Sequence, residues 1–531
     1  MKSLISHVVL LAVLMVGGFS TAQAQYLNQI GMTLLSAVTT NLNGSGIRVA
    51  QPEASGDYLA WQVNPANVGQ PASLFTYISS NGTAATFPNS LGSDSGHADT
   101  VANQFYGIPN GVATNVTHVD SFEANDFLDN YVFPTLTHSI TDSVVNQSFT
   151  FGEVTVSEQQ QFDTAFDNYS AKYRTLFASP ANNYGTTGYN TTNVVPPGTA
   201  YDCICVGAYL NGTSHNGLGP TLDNGRCKPD ITALSGETSY STPQVAGAAA
   251  VLMQAGLRGD GGSDTNSAFD LRTIKALLLN GAVKPSDWTN MAPSPLDYRY
   301  GAGVVNVFNS YEQLAGGKQG YVASVGVATG SAHPPTGATG SISVLNGWDF
   351  NTNTSSASQD KVNHYYFDVT NSLPGAVFVA TATLVWNRQQ NQSGINNLEL
   401  FLYDCANSNL VAGSTSLVDN VQHVFVPRLP PGRYDLQVWK AGGPGMVSKA
   451  EPYALAFAFT TTALSIALDG TNAMLMWPAY PAGFQVEATT NLSPPVWSNG
   501  LLPAPVFTNG QNMLVVSPTH AAQFFRLGPI F

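Results

Sequence analysis

The sequence predicts an α/β front portion, a parallel sheet with helices on both faces, followed by all-β modules. Three observations carry this. Short β-branched runs alternate with longer helical ones up to about residue 315. A Gly-, Ser-, Thr- and Pro-rich stretch then breaks the pattern at 316–342, and beyond it only short alternating strands remain.

In chain order, the first element is an export signal at 1–24. Lys2 supplies a positive charge, residues 8–19 an apolar stretch, and Ala22-Gln23-Ala24 the small residues of a cleavage site, with the cut expected after Ala24. The stretch is too short to span a bilayer, and no later one is longer. A secreted bacterial protein is expected, extracellular or on the cell surface.

Residues 47–50, 144–149 and 203–208 are short runs rich in β-branched and apolar residues that read as buried parallel strands. Apolar spacing gives helices over 159–173, 241–257 and 271–279. These elements make up a front domain of residues 25–315, and 316–342 reads as a linker.

Strand patterns at 364–367, 377–386, 398–403 and 433–439, separated by Asn, Asp, Pro and Gly, predict an antiparallel sandwich over 343–460. It resembles the jelly-roll-like modules that trail many secreted bacterial peptidases. Strands at 464–468, 473–477 and 484–488 define a last module, 461–531, similar to small fibronectin-like units. These modules suggest attachment to a cell surface or polysaccharide.

Charged residues are only 10% of the chain, and its formal charge of −14 argues against nucleic acid or an anionic membrane as partner. The four cysteines, Cys203, Cys205, Cys227 and Cys405, are too few for a disulfide framework. Cys203 and Cys205 are expected on one face of a strand, one of them pairing with Cys227. No histidine or second close cysteine pair favours zinc there.

The strongest chemical signal is Gly236-Glu-Thr-Ser-Tyr-Ser-Thr-Pro-Gln-Val-Ala-Gly247, ahead of an alanine-rich helix. A serine nucleophile must be exposed, held and deprotonated by a neighbour. Where a loop enters a helix, Ser239 gains a free backbone N–H and a dipole that favours a developing oxyanion. Pro243 is expected in the first helical turn, where an N–H is dispensable.

This string resembles the nucleophile loop of the subtilisin-like serine proteases, Gly-Thr-Ser-Met-Ala-Thr-Pro-His-Val-Ala-Gly. Lys228-Pro-Asp-Ile-Thr-Ala233 upstream and Tyr300-Gly-Ala-Gly-Val-Val-Asn306 downstream match the family's flanking motifs. Gly111-Val-Ala-Thr-Asn-Val116 and Val144-Val-Asn-Gln-Ser-Phe149 fall in the same order, so the resemblance covers the whole front domain. It implies a subtilisin-like fold and a serine endopeptidase acting on protein or peptide. His97, in Gly96-His-Ala-Asp-Thr-Val-Ala-Asn103, takes the position of the general base. Ser148, Phe149 and Thr150 take that of the substrate-binding strand.

The acid departs from the family. Arg48-Val-Ala-Gln-Pro-Glu-Ala-Ser55 stands where the family has Val-Ala-Val-Ile-Asp-Thr-Gly, so Glu53 is the expected orienting carboxylate, with Asp57 and Asp99 as alternatives. For the second oxyanion donor, the Asn of the family's Ala-Ala-Gly-Asn aligns with Asn182 in Ser179-Pro-Ala-Asn-Asn-Tyr-Gly185, and Asn183 is one step away. The chemistry implied needs no cofactor. Structural calcium is frequent in the family, but no acidic cluster here points to it, and no metal ligand is assigned. Only a short segment, about 25–46, separates the signal from the first strand, where secreted relatives carry a folding pro-domain. The altered motifs leave one rival, a catalytically impaired pseudoprotease used as a peptide-binding or adhesive scaffold.

Overall fold

The computed structural model describes residues 22–54, 59–134, 137–183, 193–330, 334–335, 339–370, 377–500, 502–517 and 522–531. Most of the signal and Asp57 lie outside them.

The front portion is built on a nine-stranded sheet, parallel except at its two ends. Its central strands run Ile204–Leu210, Leu176–Pro180, Val144–Asn146, Arg48–Glu53, His118–Glu123 and Phe75–Ser79, with Ile231–Leu234 also paired to the first of these. Alternation along each strand explains why both faces are covered. Val144, Leu176 and Ala178 pack on the side of the Thr238–Arg258 helix, together with Val245, Ala248 and Leu252. Val145 and Phe177 point the other way, toward Phe166 and Tyr169 of the Val156–Tyr173 helix. That helix starts on a full capping box, Thr155 with Glu158. The α/β class expected of the front portion, a parallel sheet covered by helices on both faces, is the observed one.

Residues preceding the first strand are part of this core. Ile30 and Leu35 are completely buried, and the Val307 N–H donates to the Ile30 carbonyl at 2.7 Å. Gln254 Oε1 accepts from the N–H groups of both Asn43 and Gly44 at 2.8 Å. The segment therefore belongs to the folded domain and does not behave as a detachable covering. Leu35→Ala should lower unfolding free energy by about 2–5 kcal/mol in a denaturant titration.

The sandwich has a five-stranded sheet, with Gln359–Val369, Gly432–Lys440 and Leu398–Asp404 at its centre. It faces a four-stranded one of Asn346–Thr354, Ala450–Thr461, Phe378–Trp386 and Val421–Leu429. The stretch expected to be a linker contributes to it, because Ala323–Ala328 pairs antiparallel with Gln359–Val369. Alternating Val325 and Val327 were outweighed in the sequence by surrounding Gly and Ser.

The sandwich is seated on the front domain. Asn280 Oδ1 accepts from Thr381 and Thr383 at 2.9 and 3.0 Å, Asp419 accepts the Cys227 N–H at 2.7 Å, and Arg388 pairs with Asp167. Val385, Val421, Ala454 and Ala456 share one apolar cluster with Leu277 and Leu314. The last module pairs a four-stranded with a two-stranded sheet around Leu475, Trp477, Val486 and Leu514.

All four cysteines are free thiols, against the expected bond to Cys227. Cys203 precedes the regular strand and packs with Phe177 and Phe166, whereas Cys205 packs with Ala181 and Val194, so the two do not share a face. Among the described residues, no helix is long and apolar enough to cross a membrane.

Candidate active site

Parallel strands bring their carboxyl ends to one edge of the sheet, where a crevice can form. Glu53 ends its strand there, Ser148 follows Val144–Asn146, Asn182 and Asn183 follow Leu176–Pro180, and Ile231–Leu234 leads into the Thr238–Arg258 helix. His97 sits in the first turn of the Gly96–Phe105 helix, capped by the Ser95 hydroxyl. The nucleophile helix packs against the end of the histidine's helix and the segment after it where position 247 is glycine: a Cβ there would come within 2.6 Å of Val112 Cβ and 3.2 Å of the Phe105 carbonyl oxygen.

Glu53 and His97 are brought together. His97 Nδ1 lies 2.8 Å from Glu53 Oε2, with Glu53 buried and the imidazole about one-fifth exposed. Burial pulls the His97 titration down. The field and hydrogen bond of Glu53, with a contribution from Glu237, outweigh it and hold His97 above its ordinary 6.5. Asp99, the alternative acid, is engaged elsewhere: it accepts from Asn64 N at 2.8 Å and from Asn67 Nδ2 at 2.6 Å.

Ser239 is the second residue of its helix, so its N–H has no carbonyl one turn back to bond. Its Oγ lies 3.5 Å from the Ser148 carbonyl oxygen, and it makes no hydrogen bond to His97. The Tyr240 ring is 5.8 Å from the His97 ring, so imidazole and nucleophile turn are neighbours. Burial, then Glu237 and Glu53, push the Tyr240 phenol up to about 12, keeping it neutral.

Pro243 falls in the second turn, because the helix begins at Thr238, earlier than its apolar spacing suggested. A proline there leaves the Ser239 carbonyl without its helical N–H partner. Ser148 Oγ fills the gap, donating to Ser239 O at 2.9 Å, and itself accepts from Asn146 Nδ2 at 3.0 Å. The expected substrate strand is thus tied to the nucleophile's backbone. Phe149 turns into the aromatic core, and Thr150 is half-buried.

Asn182 and Asn183 have different tasks. Asn182 adopts φ 77°, the left-handed region that favours glycine and, after it, asparagine. It therefore takes the place of the Gly in Ala-Ala-Gly-Asn, and its Oδ1 accepts from Asn183 N at 2.9 Å. Asn183 is the residue that reaches the nucleophile turn: its Oδ1 accepts from both N and Oγ1 of Thr238 at 2.7 Å. The side chain beside Ser239 is Asn183, one position on from the Asn182 expected from alignment. With its oxygen so engaged, Asn183 keeps its Nδ2 donors for another acceptor.

Two buried residues that the sequence reading did not single out complete the surroundings of Glu53. Gln51 Nε2 donates to Glu53 Oε1 at 2.9 Å, and the Tyr106 hydroxyl donates to Gln51 Oε1 at 2.6 Å. The two-residue spacing of Gln51 and Glu53 on one strand was the available signal. Among the described residues, no three His, Cys, Asp or Glu side chains are grouped to hold a metal ion.

Residues 77–303 match the Subtilase family model. His97, Asn183 and Ser239 lie inside this span and Glu53 outside it. Among solved structures, a serine-to-alanine mutant of the protease domain of PatA is 19% identical with a TM-score of 0.34, over 52% of this chain and 98% of that one. The self-cleaved protease domain of PatA is 18% identical with a TM-score of 0.34, over 52% and 99%. Tripeptidyl Peptidase 2 is 11% identical with a TM-score of 0.31, over 75% of this chain and 43% of that one. No curated protein matches the chain.

Proposed function

Residues 77–303 form a subtilase-family domain, and on that premise we propose that the protein is an exported serine endopeptidase whose triad is Ser239, His97 and Glu53. The observation that carries this is the 2.8 Å bond from Glu53 to His97 Nδ1. A carboxylate there fixes the tautomer with the proton on Nδ1 and leaves Nε2 as the base.

Ser239 Oγ attacks the peptide carbonyl carbon as His97 Nε2 takes its proton, and Glu53 stabilises the imidazolium. The tetrahedral oxyanion is held by the Ser239 N–H, at a helix N-terminus, and by Asn183 Nδ2. Collapse expels the amine with the proton from His97, and water repeats the sequence on the acyl-enzyme. None of these steps calls for a cofactor. Ser148, Phe149 and Thr150 would run beside the bound peptide. Export is supported by the charge, apolar stretch and Ala22-Gln23-Ala24 site at the N-terminus.

If Asn183 supplies the donor, Asn183→Ala should lower kcat by about 10²–10³-fold. Asn182→Gly, which keeps the left-handed backbone, should change it little. Steady-state kinetics on a peptide substrate separates the two.

One observation favours a catalytically impaired scaffold: the Ser239 hydroxyl lies near the Ser148 carbonyl without bonding His97. The peptidase reading requires Ser239 Oγ to turn toward His97 Nε2 when substrate binds, and catalytic hydrogen bonds often tighten only then. Labelling with a fluorophosphonate probe, mapped by mass spectrometry, decides. Modification at Ser239 that is lost in His97→Ala supports the peptidase; a folded protein that stays unlabelled supports the scaffold.

A further inference from the structure

A glutamate in the acid position carries one methylene and one rotatable bond more than the family's aspartate, so its carboxylate needs an additional anchor. We propose that Gln51, oriented by Tyr106, is a positioning residue that holds the Glu53 carboxylate against His97. The inference rests on the triad proposed above.

The fold sets all four side chains of the chain Tyr106–Gln51–Glu53–His97 at fixed places. Gln51 and Glu53 share a face of the Arg48–Glu53 strand, and Tyr106 directly follows the helix that carries His97. Gln51, Glu53 and Tyr106 are at most 1% exposed. The carboxamide has only one workable orientation. Its Nε2 faces two acceptors, Glu53 Oε1 at 2.9 Å and the Ala98 carbonyl at 3.0 Å, while its Oε1 faces the Tyr106 hydroxyl at 2.6 Å. Every donor and acceptor of Gln51 is used, and each Glu53 oxygen has its own partner.

Ala98 adjoins His97, so Gln51 ties the strand that bears the acid to the helix that bears the base. Burial, then the negative field of Glu53, keep the Tyr106 phenol protonated, as a donor must be. The family string has an apolar residue where Gln51 stands, so the anchor accompanies the change of acid.

The test follows the His97 imidazole by NMR titration, with the fluorophosphonate labelling rate of Ser239 beside it. The proteins are wild type, Gln51→Leu, Tyr106→Phe, Glu53→Gln and Gln51→Leu with Glu53→Gln. The other groups around this site are Glu237 and Tyr240 from the nucleophile turn and Asp99 from the histidine's own helix; none is altered.

Gln51→Leu should lower the His97 titration and slow labelling about 10- to 100-fold, the scale of a small misplacement of a catalytic group. Tyr106→Phe should move both readouts the same way by less. In the Glu53→Gln background, Gln51→Leu should add nothing, because it acts only through Glu53. An unchanged titration in Gln51→Leu, or an equal loss in the Glu53→Gln background, overturns the proposal. If Gln51→Leu does not fold, Tyr106→Phe decides alone. If wild-type protein is never labelled but the His97 titration still falls in Gln51→Leu, hydrolysis is rejected and the positioning role is supported.

Discussion

His97→Ala is expected to slow peptide hydrolysis about 10⁶-fold, Ser239→Ala by a similar factor, and the two together by no more than either. In the proposed mechanism, base and nucleophile act as one unit. Without the imidazole, Ser239 keeps its proton and remains a weak nucleophile. Without the hydroxyl, the imidazole has nothing to activate but water. What survives is stabilisation by the Ser239-position N–H and Asn183, which neither substitution removes. KM should change little, since neither side chain binds substrate before attack. The measurement is kcat and KM on a peptide amide for both single variants and the double. A loss below about tenfold for either single variant would reject the pair as the proton-transfer machinery.

Glu53→Gln should lower kcat about 10⁴-fold while leaving the fold in place. A carboxamide can donate to Nδ1, which puts the remaining imidazole proton on Nε2 and removes the base. The pH dependence supplies an independent sign. Burial depresses the His97 titration, and the charge and hydrogen bond of Glu53, aided by Glu237, raise it above 6.5. In wild type, kcat/KM should therefore rise with pH through a midpoint above 6.5, as His97 loses its proton. With Glu53 neutral, burial dominates and the midpoint moves to lower pH, beneath a much reduced plateau. A midpoint unchanged or raised in Glu53→Gln would mean that Glu53 does not govern His97.

Much of this arrangement was legible because strand periodicity and collinear motifs fix residues to an edge of the sheet. Ser239 and His97 were identifiable from flanks that report backbone geometry: small residues where helices touch, and a loop entering a helix. Glu53 followed from counting along the first strand, although the expected aspartate was missing. That Asn183, one position beyond the aligned Asn182, bonds the nucleophile turn could not be read by residue name, because asparagine tolerates the left-handed backbone usually assigned to glycine. Gln51 and Tyr106 escaped notice for a different reason. Their role depends on a meeting between a strand and the end of a helix some fifty residues later, and a buried Gln in a strand has no motif of its own. The strand at Ala323–Ala328 was hidden by the Gly- and Ser-rich residues around it, which set the local average. The expectation that Cys203 and Cys205 share a face failed because Cys203 lies just outside the regular strand.

The seat of the sandwich on the front domain has a thermodynamic consequence. One apolar cluster runs from Leu277 and Leu314 into Val385, Val421, Ala454 and Ala456, and the buried oxygens Asn280 Oδ1 and Asp419 Oδ1 take their hydrogen bonds across the junction. Separating the two parts would expose that apolar surface and strand those groups together, so partial opening there has little to recommend it over complete unfolding. The junction seen in the sequence is then not a point of weakness, and front domain and sandwich constitute a single cooperative melting unit. Such cooperativity withholds the half-open states in which any protease cuts a folded chain.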